Sequence, residues 1–241
     1  MENKLFYLTN KFYGNSYLIF NALQDTKVWP VQATKQLMQE YHDQDIFHLS
    51  IFDDNYPKKL NELDMPPLVL FYKGNIDLLK KPKKYYITDE LHSEVTNEFL
   101  EENKEKLITN VVLVTNDFAK SEKHLVKFYR ENGGKIIHIA KEGLSRLNYS
   151  DVDLENELFI SQFPNNTHVR RDHFYKANRI ACKISDALLI LSAKPNSKIS
   201  YLSELFSFEE TPVFALENFV KTDLHNSLLF QSAIKINTIQ I

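Results

Sequence analysis

Glycine is scarce in this chain, with five among 241 residues. Loops that wrap backbone N–H groups around a phosphate usually need glycine, because a Cβ blocks the approach. Accordingly, neither a G-x-G-x-x-G turn nor a Walker lysine loop is present. There is one cysteine, Cys182, which excludes an internal disulfide framework and fits a reducing cytosol. No apolar run is long enough to span a bilayer, and the N-terminus has no leader pattern. A cytoplasmic protein with no membrane partner is expected. Catalytic and metal chemistry are equally thin. His168 and His173 stand five apart across a loop–helix junction, with no cysteine or carboxylate cluster to join them. No Ser–His–Asp order is legible. Asp53/Asp54 and Glu209/Glu210 are adjacent pairs that read as surface acids. The expectation is no metal, no cofactor, no catalytic residue and no enzymatic turnover.

What the chain does have is an ordinary globular composition, 43% hydrophobic and 25% charged. Residues 1–50 read as a small helical module, with one short helix around Tyr17–Leu23 and another over Val31–Tyr41 behind Pro30. Residues 51–241 read as the main domain. Asp53 to Leu60 suits a short helix, and Pro66-Pro67 stiffens a turn into a buried strand stopped by Gly74. Beyond Pro82, apolar runs alternate with helical patterns. Strands are expected at Lys84–Thr88, Asn110–Thr115, Lys135–Ala140, Glu157–Ser161, Ala187–Ser192, Thr211–Leu216 and Ala233–Ile236. Helices are expected at about 91–107, 118–132, 172–185, 198–208 and 223–230. Gly133-Gly134 reads as a helix C-cap before a strand. Apolar strands with helical crossovers predict an α/β fold with a mostly parallel sheet covered on both faces.

One stretch departs from the chain's overall balance of −3. Between Ser161 and Lys183 stand Arg170, Arg171, Lys176, Arg179 and Lys183, against the single acid Asp172. The segment runs from a strand end, through a polar loop with Pro164, into a helix. Ligands of open α/β sheets commonly bind at such a place. At 100° per residue, Phe174, Ala177, Ile180, Ala181 and Ile184 share one helix face, and Lys176, Arg179 and Lys183 the other. Asp172 is the expected N-cap. Helix N-terminal amides with Arg and Lys suit phosphate, and a solvated charged face is the plainer alternative.

Five ordered motifs resemble one family, the DprA (Smf) proteins of DNA processing. Phe174, Asn178, Arg179 and Ala181 sit close to its F-x-x-R-N-R-x-x-A signature, with Ala177 in place of the first arginine. Ser161-Gln162-Phe163-Pro164 resembles its S-E-x-P. Asp53 to Gly74 resembles its D-x-x-Y-P-x-x-L … P-P-x-L-F-x-K-G. Pro212 to Leu216 and Asn226 to Ala233 resemble its R-P-V-F-A-V-P-G and N-x-L-I-x-x-G-A. The resemblance implies a Rossmann-like domain that binds incoming single-stranded DNA, loads the RecA recombinase in natural transformation and recombination, and forms a homodimer. Carried onto this sequence, Arg170, Arg171, Lys176 and Arg179 would contact phosphates. Phe174 would stack a base or pack in the core, and Asn178 would touch DNA or cap a loop. The N-terminal module shows no helix-hairpin-helix glycines and is assigned no DNA contact.

Three loops depart from the family pattern. Its G-S/T-R turn reads Thr88-Asp89-Glu90 here, with an acid in the arginine's place that would repel phosphate. Its S-G-x-A-x-G-I-D loop reads Thr115 to Glu122, where Lys120 partly restores charge. Its S-G-S-L-x-T-A reads Ser197 to Ser203, where Lys198 does the same. These losses favour an alternative: a degenerate relative that has lost DNA binding and acts as a dimerising protein-interaction module.

Overall fold

The computed structural model describes residues 1–25, 29–116, 122–194, 197–217 and 233–239. It divides into two compact units. The first comprises residues 1–79 and 139–177, the second residues 80–138 and 178–241.

The first unit begins with three helices: α1 (Glu2–Lys11), α2 (Ser16–Leu23) and α3 (Val31–His42). The expected pair of helices is present, and α1 precedes them. α1 ends in a turn in which Tyr13 and Gly14 both have left-handed backbones, with φ of 51° and 72°. The Asn15 side chain then starts α2 by accepting from the Leu18 amide at 3.2 Å, an ordinary N-cap. Leu5, Phe6, Leu8, Ile19 and Tyr41 bury one face of this helical group against Val69, Phe71, Leu144 and Phe159. The Phe6 ring meets Tyr41 edge-on at 5.1 Å and Phe71 at 6.0 Å, separations at which aromatic pairs attract. The strands of this unit are β1 (Phe47–Ser50), β2 (Val69–Gly74) and β6 (Glu157–Ser161), and β2 pairs antiparallel with both others. The strand stopped by Gly74 is therefore present. Gly74 has φ of 100°, and a Cβ there would sit 2.2 Å from the Glu157 carbonyl oxygen.

The second unit holds β3 (Lys84–Asp89), β4 (Val112–Thr115), β5 (Lys135–Ile139), β7 (Ala187–Ser192), β8 (Val213–Leu216) and β9 (Ile234–Ile236). Their order is β5-β4-β3-β7-β8-β9, and each of these pairings is parallel. Every residue of β4 and β7 is buried, as parallel strands with helices on both faces require. The crossover helices are α4 (Glu94–Glu102), α5 (Lys104–Asn110), α6 (Glu122–Glu131) and α8 (Ile199–Phe208). The helix expected at 91–107 is thus two, broken at Asn103. The Asn103 side chain donates to Phe99 O and accepts from Thr238 and from the amide of Ile239. Gly133 caps α6 at φ of 72°, and Gly134 N donates to Tyr129 O at 2.8 Å. The fold is α/β with a mostly parallel set of strands. The helix expected at 223–230, the motif over Asn226 to Ser232 and the loop with Lys120 lie outside the described residues.

Candidate nucleic-acid interface

Helix α7 (Arg171–Ile184) carries the basic stretch. Its apolar face packs as its spacing dictates: Ala177, Ile180, Ala181, Cys182 and Ile184 are all buried. Cys182 is a packed thiol. The helix starts at Arg171, so Asp172 is not the N-cap but a first-turn residue. Its carboxylate accepts from Lys176 Nζ at 2.7 Å, four residues on. That bond is the main reason the Asp172 carboxyl lies below its usual range.

Arg170 and Arg171 are exposed. The Arg170 carbonyl accepts from the His173 amide at 3.1 Å, and neither guanidinium makes a hydrogen bond or ion pair with the described residues. The loop before them is held tightly. Ser161 Oγ donates to Glu142 O and accepts from the Phe163 amide. A Cβ on Gly143 would lie 2.3 Å from Pro164 O, so only glycine lets that backbone close on the loop. The Phe163 ring stacks on His173 at 3.8 Å, and Lys176 Nζ lies 5.8 Å from the Phe163 centroid. The His173 ring is buried, with Nδ1 2.7 Å from Lys141 O. Burial holds its pKa below the ordinary histidine value, so it is neutral and Nδ1–H donates to the carbonyl. This histidine is a structural support and not half of a metal pair. Phe174 is half-buried, with Lys141 Nζ 5.2 Å from its ring. It belongs neither to the closed core nor to open solvent.

Further along α7, Asn178 accepts from Asn116 Nδ2 at 2.6 Å. Asn116 ends the β4 turn, so this side chain does tie a neighbouring loop. Arg179 is half-buried. Lys183 corrects the expectation of an all-solvent polar face. Its Nζ sits 2.6 Å from Glu209 with both side chains nearly enclosed, at 8% and 13% exposure. Glu209 is therefore a largely enclosed partner of Lys183, while Glu210 is exposed. Asp53 is likewise engaged, accepting from the Ser50 amide and hydroxyl.

The ends of the parallel strands hold a cluster with no legible spacing in sequence. A register shift after Thr88 sets Asp89 opposite Ser192. Asp89 is fully buried. It accepts a short hydrogen bond from Ser192 Oγ and one from the His92 amide at 3.1 Å. His124 Nε2 lies 2.9 Å from its other oxygen, at ion-pair distance but without hydrogen-bond alignment. Burial pushes the Asp89 carboxyl up, but His124, Ser192 and the His92 amide together outweigh it and hold the pKa below the usual range. The His92 and His124 rings stack at 3.9 Å. Glu90 accepts from the Lys194 amide at 2.8 Å. Buried Glu122 accepts from Thr115 at 2.9 Å and from Tyr86 at 3.3 Å. Two backbone amides of the kind that cradle phosphate thus already hold carboxylates. Among the described residues, no group of His, Cys, Asp or Glu is arranged to hold a metal ion.

Comparison with known proteins identifies the family. Residues 47–226 match the family model for DNA recombination-mediator protein A. The DNA processing protein DprA of Streptococcus pneumoniae is 28% identical over 222 residues, covering 83% of this chain and 78% of the relative. The X-ray structure of that protein superposes with a TM-score of 0.70 at 23% identity, covering 92% of this chain and 77% of the other. A structure of DNA processing protein A from Helicobacter pylori, described by its single-stranded DNA binding mode, superposes with a TM-score of 0.66. There the identity is 21%, covering 80% of this chain and 91% of that one. With a family match over well more than half its length, the chain belongs to the DNA recombination-mediator protein A family, the DprA proteins.

Proposed function

We propose that this protein binds single-stranded DNA through the loop before α7 and the polar side of that helix, and acts in DNA processing during recombination. The observation that carries this reading is the state of Arg170 and Arg171. They are exposed at a helix N-terminus, while the adjacent acid, Asp172, is engaged by Lys176. Arginine forks at a helix N-terminus suit phosphate oxygens. Lys176 and Arg179 add charge along the same helix, and Phe174 offers a half-exposed ring for a base. Asn178 serves the fold by holding Asn116. The proposed role is binding and not turnover. The relatives' names support a DNA-processing role. Protection of incoming DNA, loading of the RecA recombinase and homodimer formation are the further parts of the proposal.

A second reading is favoured by Asp89 and Glu90. Their carboxylates occupy the strand-end amides, as they would in a protein-interaction module without DNA binding. Titration of labelled single-stranded DNA at low and moderate salt separates the two. Binding that weakens steeply with salt supports the first reading, and absence of binding at low salt leaves the second.

A further inference from the structure

Helix α2 is unusual for its exposure. From Phe12 to Gln24 no residue carries a charge, yet of the helix's own residues only Ile19 is buried. Tyr13, Tyr17 and Phe20 stand 68%, 57% and 58% exposed. Tyr17 and Phe20 are three apart and share a helix face. Large rings exposed together on an uncharged segment mark a contact surface.

Their place in the fold says what that surface contacts. The turn that carries Tyr13 is pressed onto the loop that feeds α7: a Cβ on Gly14 would lie 2.5 Å from the Gln162 carbonyl oxygen. The next residue, Phe163, is the ring that stacks on His173 with Lys176 beside it. A second tie lies nearby. The Tyr41 hydroxyl donates to Asn10 at 2.6 Å and accepts from the Asn165 amide at 2.8 Å. The helical group is thus latched to the segment that ends in Arg170 and Arg171. Neutral exposed rings, on helices tied to the loop that leads to Arg170 and Arg171, and phosphate-seeking cations are the two halves of a single-strand site: cations track the backbone and rings take the bases. The absence of any carboxylate from Phe12 to Gln24 leaves nothing on that segment to repel the backbone.

We propose that Tyr13, Tyr17 and Phe20 form a nucleobase-stacking platform, which extends the path of a single strand from α7 onto the N-terminal helices. This rests on the single-stranded DNA reading above and departs from the expectation that the N-terminal module makes no DNA contact. The test compares labelled dT30 with a 30-mer abasic backbone on the full chain, using wild type, Tyr17→Ala/Phe20→Ala, and Arg170→Glu/Arg171→Glu. Wild type should prefer dT30. The aromatic variant should bind dT30 roughly tenfold or more weakly, lose most of that preference and keep its salt slope. The arginine variant should weaken on both probes and flatten in salt. Tyr17→Leu/Phe20→Leu keeps the apolar area without the flat rings and guards against misfolding. It should lose the preference as the alanine pair does. Unchanged affinity and preference in both aromatic variants overturns the platform and leaves the α7 reading standing. So does an altered sedimentation coefficient with DNA binding intact, which would make the face a contact between copies. If wild type binds neither probe, the α7 reading and the platform fall together.

Discussion

Arg170 and Arg171 owe their availability to their neighbours. Lys176 takes the Asp172 carboxylate, and His173 turns inward against Phe163 and Lys141 O. Phe174 is the sharpest single-residue case. Because it is half-buried, Phe174→Ala should cost about 1–3 kcal/mol of DNA affinity, the usual worth of a stacked base. It should lower thermal stability by less than a buried Phe→Ala, which costs about 3–5 kcal/mol. DNA titration and thermal melting, read together, check both. The neutral histidines give a pH dependence of definite sign. His173 and His48 are both held below the ordinary histidine value by burial. The unfolded chain therefore takes up protons first as pH falls through about 6.5, and the stability these residues contribute above that pH is lost. Tm should fall between about pH 7.5 and 5.5, and His173→Gln should flatten the fall. The depressed Asp89 carboxyl works in a different window. Its contribution is present above the ordinary aspartate range and goes only as pH drops through its lowered value in acid.

Among the elements, α7 and the strands around it were the most legible. A sharp apolar stripe and a basic stripe predicted a helix over 172–185, and the structure has it at Arg171–Ile184. β7 is a run of six buried residues, which periodicity finds easily. Two elements were not legible. β1 is only four residues long, too short for alternation to register. α1 starts at the second residue without a side-chain cap, so it lacks the usual start signal. The site was legible only where it lies in one segment. Asp89, His124 and Ser192 meet through β3, α6 and β7, and no spacing in the chain foretells that. The Lys183–Glu209 pair was hidden for the same reason, since helical spacing placed Lys183 in solvent. Breaking it should be costly: Lys183→Ala leaves an enclosed carboxylate unpaired, and should lose about 3–5 kcal/mol in chemical denaturation. Tyr41→Phe tests the latch on the loop before α7. It removes one donor and one acceptor from an enclosed polar group, and should cost about 1–3 kcal/mol in the same assay.

At the scale of the whole chain the net charge is −3, so attraction to a polyanion must come from local concentration of cations and not from the molecule's overall field. Two charge patterns oppose each other along the sequence. The stretch from Arg170 to Arg179 invites phosphate, and Asp89 with Glu90 refuses it. On the proposed reading, the phosphate contact falls to side chains of α7 and not to strand-end amides. The most direct test is the salt dependence of single-stranded DNA affinity for wild type and Arg170→Glu/Arg171→Glu. Each phosphate neutralised on a single strand contributes about 0.7 to the slope of log affinity against log salt. The account predicts measurable binding at low salt for wild type. It also predicts weaker binding for the variant, with a slope shallower by about 1.4 for two lost contacts. Equal affinity and equal slope for the two proteins would contradict it.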